Sequence, residues 1–171
     1  MMSNVNFAYA AGLFDGEGCI QIVNDKSQGW NSWKLMIQMT STSIKSINKM
    51  IGLFGGSYRE HRRGYDSDNM IPRFVAYHWA LTSVNAYNAL KKIKPFLVEK
   101  KEQADIAMKF FMYQKHTTYD RKNRLPMSVI RKREDFLQRL KAARTASLTP
   151  IALAETECEN AVMGEATVLA N

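Results

Sequence analysis

Glu17 stands between two glycines at the end of a stretch in which Ala8, Ala11, Gly12 and Asp15 recur at three- and four-residue spacing. That spacing predicts a helix with one face almost free of side-chain bulk, on which two copies can pack backbone to backbone. Gly in a helix interior costs about 0.8 to 1 kcal/mol against Ala, a cost that close approach of a second helix explains at Gly12. Gly16 and Gly18 read as the stop, being residues tolerant of positive φ. Glu17 would then sit at a helix C-terminus, where the macrodipole disfavours an anion by about 0.3 to 1 kcal/mol and a nearby cation reverses the penalty. If two such helices pack about a two-fold axis, two Glu17 carboxylates meet there. The pair suits a hard divalent cation, with coordination positions left for water and phosphate. The plainer alternative is a surface glutamate after a glycine-capped helix.

The surroundings of this stretch favour a polyanionic partner. The chain has 171 residues, 46% of them hydrophobic, and a formal charge of +8, enough for one domain with a packed core. Beyond Thr145 there are four acids, Glu155, Glu157, Glu159 and Glu165, and no Lys or Arg, so the excess positive charge lies in residues 1–144. No apolar run approaches the roughly 18 residues of a spanning helix. The N-terminal residues lack the pattern of a signal or transit peptide, which gives the expectation of a protein working where it is made, in bacterial or phage cytoplasm or an encoding organelle. Cys19 and Cys158 suggest neither a disulfide framework nor, with His61, His78 and His116 scattered, a zinc site.

The elements that must position Glu17 follow from periodicity. Alternation at Cys19 to Val23 and at Trp33 to Thr40 predicts a hairpin around a turn at Gln28-Gly29-Trp30-Asn31. Ile44, Ile47, Met50, Ile51 and Phe54 predict a helix with Ser43 or Ser41 as N-cap and Gly55-Gly56 as its stop. Ser57 to Arg62 and Arg73 to Leu81 predict a second hairpin, joined by a polar loop from Gly64 to Pro72. A helix capped by Thr82 or Ser83 runs to Pro95, and another reaches Gln114. After a basic loop, Met127 to Ala143 predicts an amphipathic helix with Val129, Ile130, Phe136, Leu137 and Leu140 inward. The organisation expected is one domain over 1–144, with its core at about 7–113 and a basic C-terminal helix at about 127–143. Residues 145–171 form an acidic tail, read as disorder or a loose helix.

The nonapeptide Ala10-Ala11-Gly12-Leu13-Phe14-Asp15-Gly16-Glu17-Gly18 resembles the LAGLIDADG motif of the homing endonucleases, and the order α-β-β-α-β-β-α matches that family's core. Ala10 replaces the motif's first Leu, Phe14 its Ile, Gly16 its second Ala and Glu17 its metal-binding Asp. Pro95-Phe96-Leu97-Val98-Glu99-Lys100-Lys101-Glu102-Gln103-Ala104 is similar to a second segment of these enzymes, whose lysine falls at Lys100. The resemblance implies an α+β fold whose antiparallel sheet forms a DNA-binding saddle, followed by C-terminal helices. It further implies a site-specific endonuclease that hydrolyses both strands of double-stranded DNA with Mg²⁺ or Mn²⁺. Only one motif is present, so a homodimer is expected, joined through Ala8, Ala11, Gly12 and Asp15. Glu17, with the Gly16 carbonyl, would hold the metal, while Lys100 stabilises developing charge and Ser41 and Lys45 occupy the solvent-network positions. Ser41 departs from the glutamine of better-known members and reaches less far.

Strand alternation then assigns the expected base readers. Gln21, Val23, Asp25, Ser32, Lys34, Met36, Gln38 and Thr40 face outward from the first hairpin, and Tyr58, Glu60, Arg62, Arg73, Val75, Tyr77 and Trp79 from the second. Arg62, Arg63 and Lys101 are expected at phosphates. A nine-residue strand spans roughly 30 Å, so two subunits would cover about two turns of duplex with a near-palindromic site. A membrane partner is not expected. Two alternatives keep the same basic saddle: a DNA-binding regulator that has lost cleavage, and an intron RNA-binding maturase using a surface such as Arg131-Lys132-Arg133.

Overall fold

A computed structural model describes residues 4–25, 32–65, 72–117 and 125–146, without the side chains of residues 63–65, 72 and 73. The first predicted hairpin turn, residues 66–71 of the second loop, part of the basic loop, Cys158 and the acidic tail from residue 147 lie outside the described residues, while Gly64 and Pro72, expected in that loop, belong to strands. The chain begins with α1 (Asn4–Glu17), which passes directly into β1 (Gly18–Asp25). There follow β2 (Ser32–Ser41), α2 (Ile44–Phe54), β3 (Tyr58–Tyr65), β4 (Pro72–Thr82), α3 (Ser83–Ile93), a 3-10 turn (Lys94–Phe96), α4 (Lys101–His116) and α5 (Met127–Ala146). The strands form one antiparallel sheet in the order β1-β2-β4-β3, so β2 and β4 are central and each hairpin presents an edge. This is the expected α+β order.

Every helix packs on one face of the sheet. Ile20, Ile22, Trp33, Leu35, Ile37 and Met39 from the first hairpin meet Trp79 and Leu81 from β4 there, together with Phe14, Ile47, Leu90, Phe110 and Leu140 from the five helices. Phe14 and Phe110 are fully buried, each contributing about 1.5 to 3 kcal/mol by leaving water. Trp79 is also fully buried, and its indole Nε1 donates to the Gly55 carbonyl at 2.9 Å, so its polar edge is satisfied inside the core. The α2 boundaries follow the sequence. The Ser46 N–H donates to Ser43 Oγ at 3.4 Å, and Gly55 ends the helix with φ 78, its N–H bonded to the Ile51 carbonyl.

Two expectations are corrected. Positive φ among the described glycines occurs at Gly55 and Gly56, not at Gly16 or Gly18. Gly18 is required for space instead: a Cβ there would collide with the Phe14 ring and carbonyl oxygen, because the chain turns from helix into strand directly over Phe14. In α5 the inward residues are Val129, Arg133, Phe136, Leu140 and Ala143, with Ile130 and Leu137 only half-buried. The Arg133 guanidinium donates to the Thr117 carbonyl at 3.2 Å, tying α5 to the end of α4, and so leaves the basic surface on which it was expected. Arg144, in the last turn of α5, donates to the Ile20 carbonyl of edge strand β1 at 2.7 Å.

Gly18→Ala should therefore cost about 1 to 3 kcal/mol in urea unfolding through overpacking. Gly52→Ala, in α2 where a Cβ meets nothing within 4 Å, should gain about 0.5 to 1 kcal/mol. Equal effects from the two changes would show that Phe14 does not dictate Gly18.

Candidate nucleic-acid interface and catalytic carboxylate

The two acids of the motif have different fates because residues two apart on a helix point about 200° apart. Asp15 turns toward its own chain. Its Oδ2 accepts the Val98 N–H at 2.8 Å and its Oδ1 the Lys100 N–H at 3.0 Å, which fixes the start of α4 against the end of α1. Lys100 closes the clasp by donating through Nζ to the Asp15 carbonyl. An ammonium thus lies at the negative end of the α1 dipole, two residues from Glu17, supplying the cation that position calls for. Asp15 is engaged within its own chain, which corrects its assignment to an inter-subunit face.

Glu17 is exposed and lines a shallow cleft of about 240 Å³ with Thr40, Ser41, Thr42, Phe74 and Ala76. Gly16 is exposed in the last helical turn, where its carbonyl has no intrahelical donor. The oxygens lining the cleft are the Glu17 carboxylate and the Thr40, Ser41 and Thr42 hydroxyls, a set that suits a hard cation. Among the described residues no three His, Cys, Asp or Glu side chains cluster as a metal site. Ser41 reaches this cleft, with its Oγ accepting the Ser43 N–H at 3.2 Å. Lys45 does not reach it. It is exposed on the first turn of α2 and lines a second cleft with Val5, Asn6, Tyr9, Ser43, Ser46 and Lys49. Lys101 is exposed at the start of α4.

The exposed face of α1 consists of Val5, Ala8, Tyr9, Gly12 and Gly16, spaced at three and four residues, with Val5 75% and Tyr9 53% exposed. Ala11 is not part of it. It is fully buried beside Ala10 and Phe14 in the core, so the small-residue positions of the motif serve two faces, one inside the chain and one open. A Cβ at Gly12 would meet nothing within 4 Å.

The open face of the sheet carries Gln21, Val23, Asp25, Ser32, Lys34, Met36, Gln38 and Thr40 from the first hairpin, opposite in parity to the buried Ile20, Ile22, Leu35, Ile37 and Met39. In the second hairpin the parity is reversed from the expected one. Tyr58, Glu60 and Arg62 pair with Trp79, Tyr77 and Val75, and so share the helix-bearing face. Tyr58 meets Tyr77 edge to face at 5.5 Å, and Arg62 pairs with Glu60 at 2.7 Å. Arg63 pairs in register with Phe74, and Arg73 lies in β4, with both side chains outside the description. The residues turned to the open face are Arg59, His61, Phe74, Ala76 and His78. The reason is bulk: Val75, Tyr77, Trp79 and Leu81 outweigh Phe74, Ala76, His78 and Ala80, and the heavier set fills the core. Trp79 was the signal that could have set this parity.

Across this face, His78 Nδ1 and Thr40 Oγ1 are 3.0 Å apart, and the His61 and His78 rings meet edge to face at 5.7 Å. Burial pushes the His78 pKa below the ordinary 6.5, with His61 and Arg59 acting in the same direction. A histidine with a lowered pKa is favoured neutral in the fold. Its contribution to stability is complete above the unfolded value of 6.5 and is lost as pH falls through the folded value.

An open antiparallel sheet carrying Lys34, Arg59 and His61 beneath five helices, with an exposed carboxylate at the end of a small-residue helix, defines the class as α+β. The family model described as LAGLIDADG endonuclease matches residues 10–101, and the chain belongs to that family. Among solved structures, the homing endonuclease I-CvuI in complex with the I-CreI target is similar with TM-score 0.62 and 15% identity, over 81% of this chain and 82% of that one. The archaeal intron-encoded homing endonuclease I-Vdi141I, complexed with DNA, gives 0.61 and 12%, over 82% and 84%. The LAGLIDADG homing endonuclease I-GzeII, in complex with its DNA target, gives 0.56 and 12%, and there the match takes 76% of this chain but only 43% of the other. No curated protein sequence matches the chain.

Chemical denaturation at pH 5 and pH 7.5 should show lower stability at the acid value, and His78→Gln should shrink the difference. An unchanged difference would remove His78 as its source.

Proposed function

We propose that this chain is a site-specific endonuclease of double-stranded DNA, working as a homodimer on a long, near-palindromic site with Mg²⁺ or Mn²⁺. The observation that carries this reading is the pairing of one exposed carboxylate, Glu17, with an exposed helix face of Ala8, Gly12 and Gly16 immediately before it. Two copies joined along that face bring two Glu17 side chains to the axis and set two open sheets side by side. The I-CvuI structures, solved with target DNA in Mg or in Ca, support a divalent cation for this relative and, through the shared fold, for this chain.

Glu17 of each copy, with the Gly16 carbonyl, would hold the cation against the scissile phosphates. When bound, such a cation lowers the pKa of attacking water and shields the leaving oxygen. Lys100, held by the Asp15 carbonyl, places fixed positive charge beside the phosphate, where charge develops during hydrolysis. The Ser41 hydroxyl lies in the same cleft as Glu17 and can orient water there. Lys45, outside that cleft, and Lys101 and Arg59 serve the DNA backbone, whose contacts position the duplex without reading it. Gln21, Lys34, Met36, Gln38, Thr40 and His78 share the open face and reach base edges.

Selection from a randomised duplex library, scoring cut ends in Mg²⁺ and bound duplexes in Ca²⁺, tests the reading. Near-palindromic sites cut at their centre only in Mg²⁺ are expected. Enrichment without cutting would make the protein a DNA-binding regulator. No enrichment would overturn the DNA reading and direct attention to structured RNA. Glu17→Gln should abolish cleavage while specific binding is retained, and cleavage by that variant would refute the site. Gly12→Leu should fold as a monomer, since the added side chain meets nothing within the chain. A dimer surviving in light scattering would refute the packing.

A further inference from the structure

Phe74 is the only large apolar side chain that stands exposed, at 48%, on the open face of the sheet among the described residues. It serves no core: the buried face of β4 is built from Trp79 and Leu81, which have the opposite parity along the strand. The pairing of β2 with β4 runs from Met36↔Thr82 to Ser41↔Tyr77, so β4 extends past the end of β2 and no β2 residue stands opposite Phe74. Phe74 and the short Ala76 form the apolar wall of the cleft whose polar wall is Glu17, Thr40, Ser41 and Thr42. An aromatic ring left in water at this point forgoes a burial free energy that it gains only when a ligand covers it.

The occupant follows from the neighbours. Arg59 and His61 share this face, and Lys34, 4.0 Å from Asp25, lies farther along it, which with the chain's formal charge of +8 favours a polyanionic ligand. In duplex DNA the apolar group a side chain can reach from the groove is the thymine 5-methyl, which Phe and Ala are suited to contact. Resting on the endonuclease reading above, we infer that Phe74 is a specificity-determining residue, covering a thymine methyl in the base pairs beside the phosphate that Glu17 addresses. Its place in the Glu17 cleft puts this preference near the cut, inward of the pairs read by Gln21, Lys34 and Gln38. Ala76 leaves the space into which the methyl fits.

The test uses the duplex recovered by selection with the full chain. Each thymine of the central base pairs is replaced singly by deoxyuridine, which removes the methyl and leaves pairing unchanged. Binding in Ca²⁺ and cleavage in Mg²⁺ are measured for the unaltered protein, Phe74→Ala and Phe74→Leu. One symmetric pair of positions should lose about three- to fivefold per half-site with the unaltered protein. The loss should disappear with Phe74→Ala and persist in part with Phe74→Leu. Repeating the selection with Phe74→Ala should relax that pair alone. Indifference of the unaltered protein to every central deoxyuridine would overturn the assignment, as would a full methyl effect in Phe74→Ala or loss of its dimer in light scattering. Specific binding without methyl sensitivity removes only this inference, whereas failure to select any duplex removes the endonuclease reading with it.

Discussion

Both carboxylate oxygens of Asp15 are occupied by backbone N–H groups, from Val98 and Lys100, and much of the arrangement depends on this clasp. It joins residues 83 and 85 positions apart in sequence, so it holds the last turn of α1 against the first turn of α4. Hydrogen bonds to an ionised carboxylate are roughly twice as strong as neutral ones, and two from one rigid segment fix direction as well as distance. Lys100 is drawn in by the same contact and lies at the end of α1. Glu17, one step beyond, is left pointing into the cleft with Ser41 and Thr40. The division of labour between the two acids follows from helix geometry: one is committed to structure so that the other is free.

The small residues of α1 serve a second division. Ala10 and Ala11 let the helix lie close on its own core, while Ala8, Gly12 and Gly16 leave a low strip on the opposite side beside the exposed Val5 and Tyr9. Phe14 anchors the inner side, and Gly18 is the space that anchor needs when the chain turns into β1. A helix seated this deeply presents its outer face at a fixed angle. An interface built on it can therefore be tight without long side chains, since close backbone approach supplies the contact.

The sheet separates a packed face from a chemically mixed one. Its open side combines amides, a methionine, histidines and cations from different strands, the mixture of groups that the proposed contacts to base edges and phosphates require. The Thr40–His78 contact crosses from β2 to β4, so these two side chains of the open face are coupled and changing one alters its partner's orientation. Phe74 adds an apolar element to the same face where it meets the carboxylate.

Element order, the first hairpin's two faces, the α2 caps and the exposed Glu17 were legible because each rests on local rules: period two, period 3.6, a serine before a helix, glycine after it. The second hairpin was not. Residues 73 to 81 are apolar in both parities, with the bulk of Trp79 the one local sign, and the volume beneath the helices seats Trp79 inward and turns His78 outward. Ala11 and Arg133 show the same limit. A small residue at helical spacing reads equally as an open face or a close internal contact, and a basic triplet reads as surface until a carbonyl such as that of Thr117 is found beside it. The sequence by itself determined the fold family and the carboxylate at its centre, because these lie in contiguous residues whose types constrain one another. The tertiary structure alone decided which acid is free, which face of α1 is open and which side chains line the groove, because those depend on groups far apart in sequence competing for the same space.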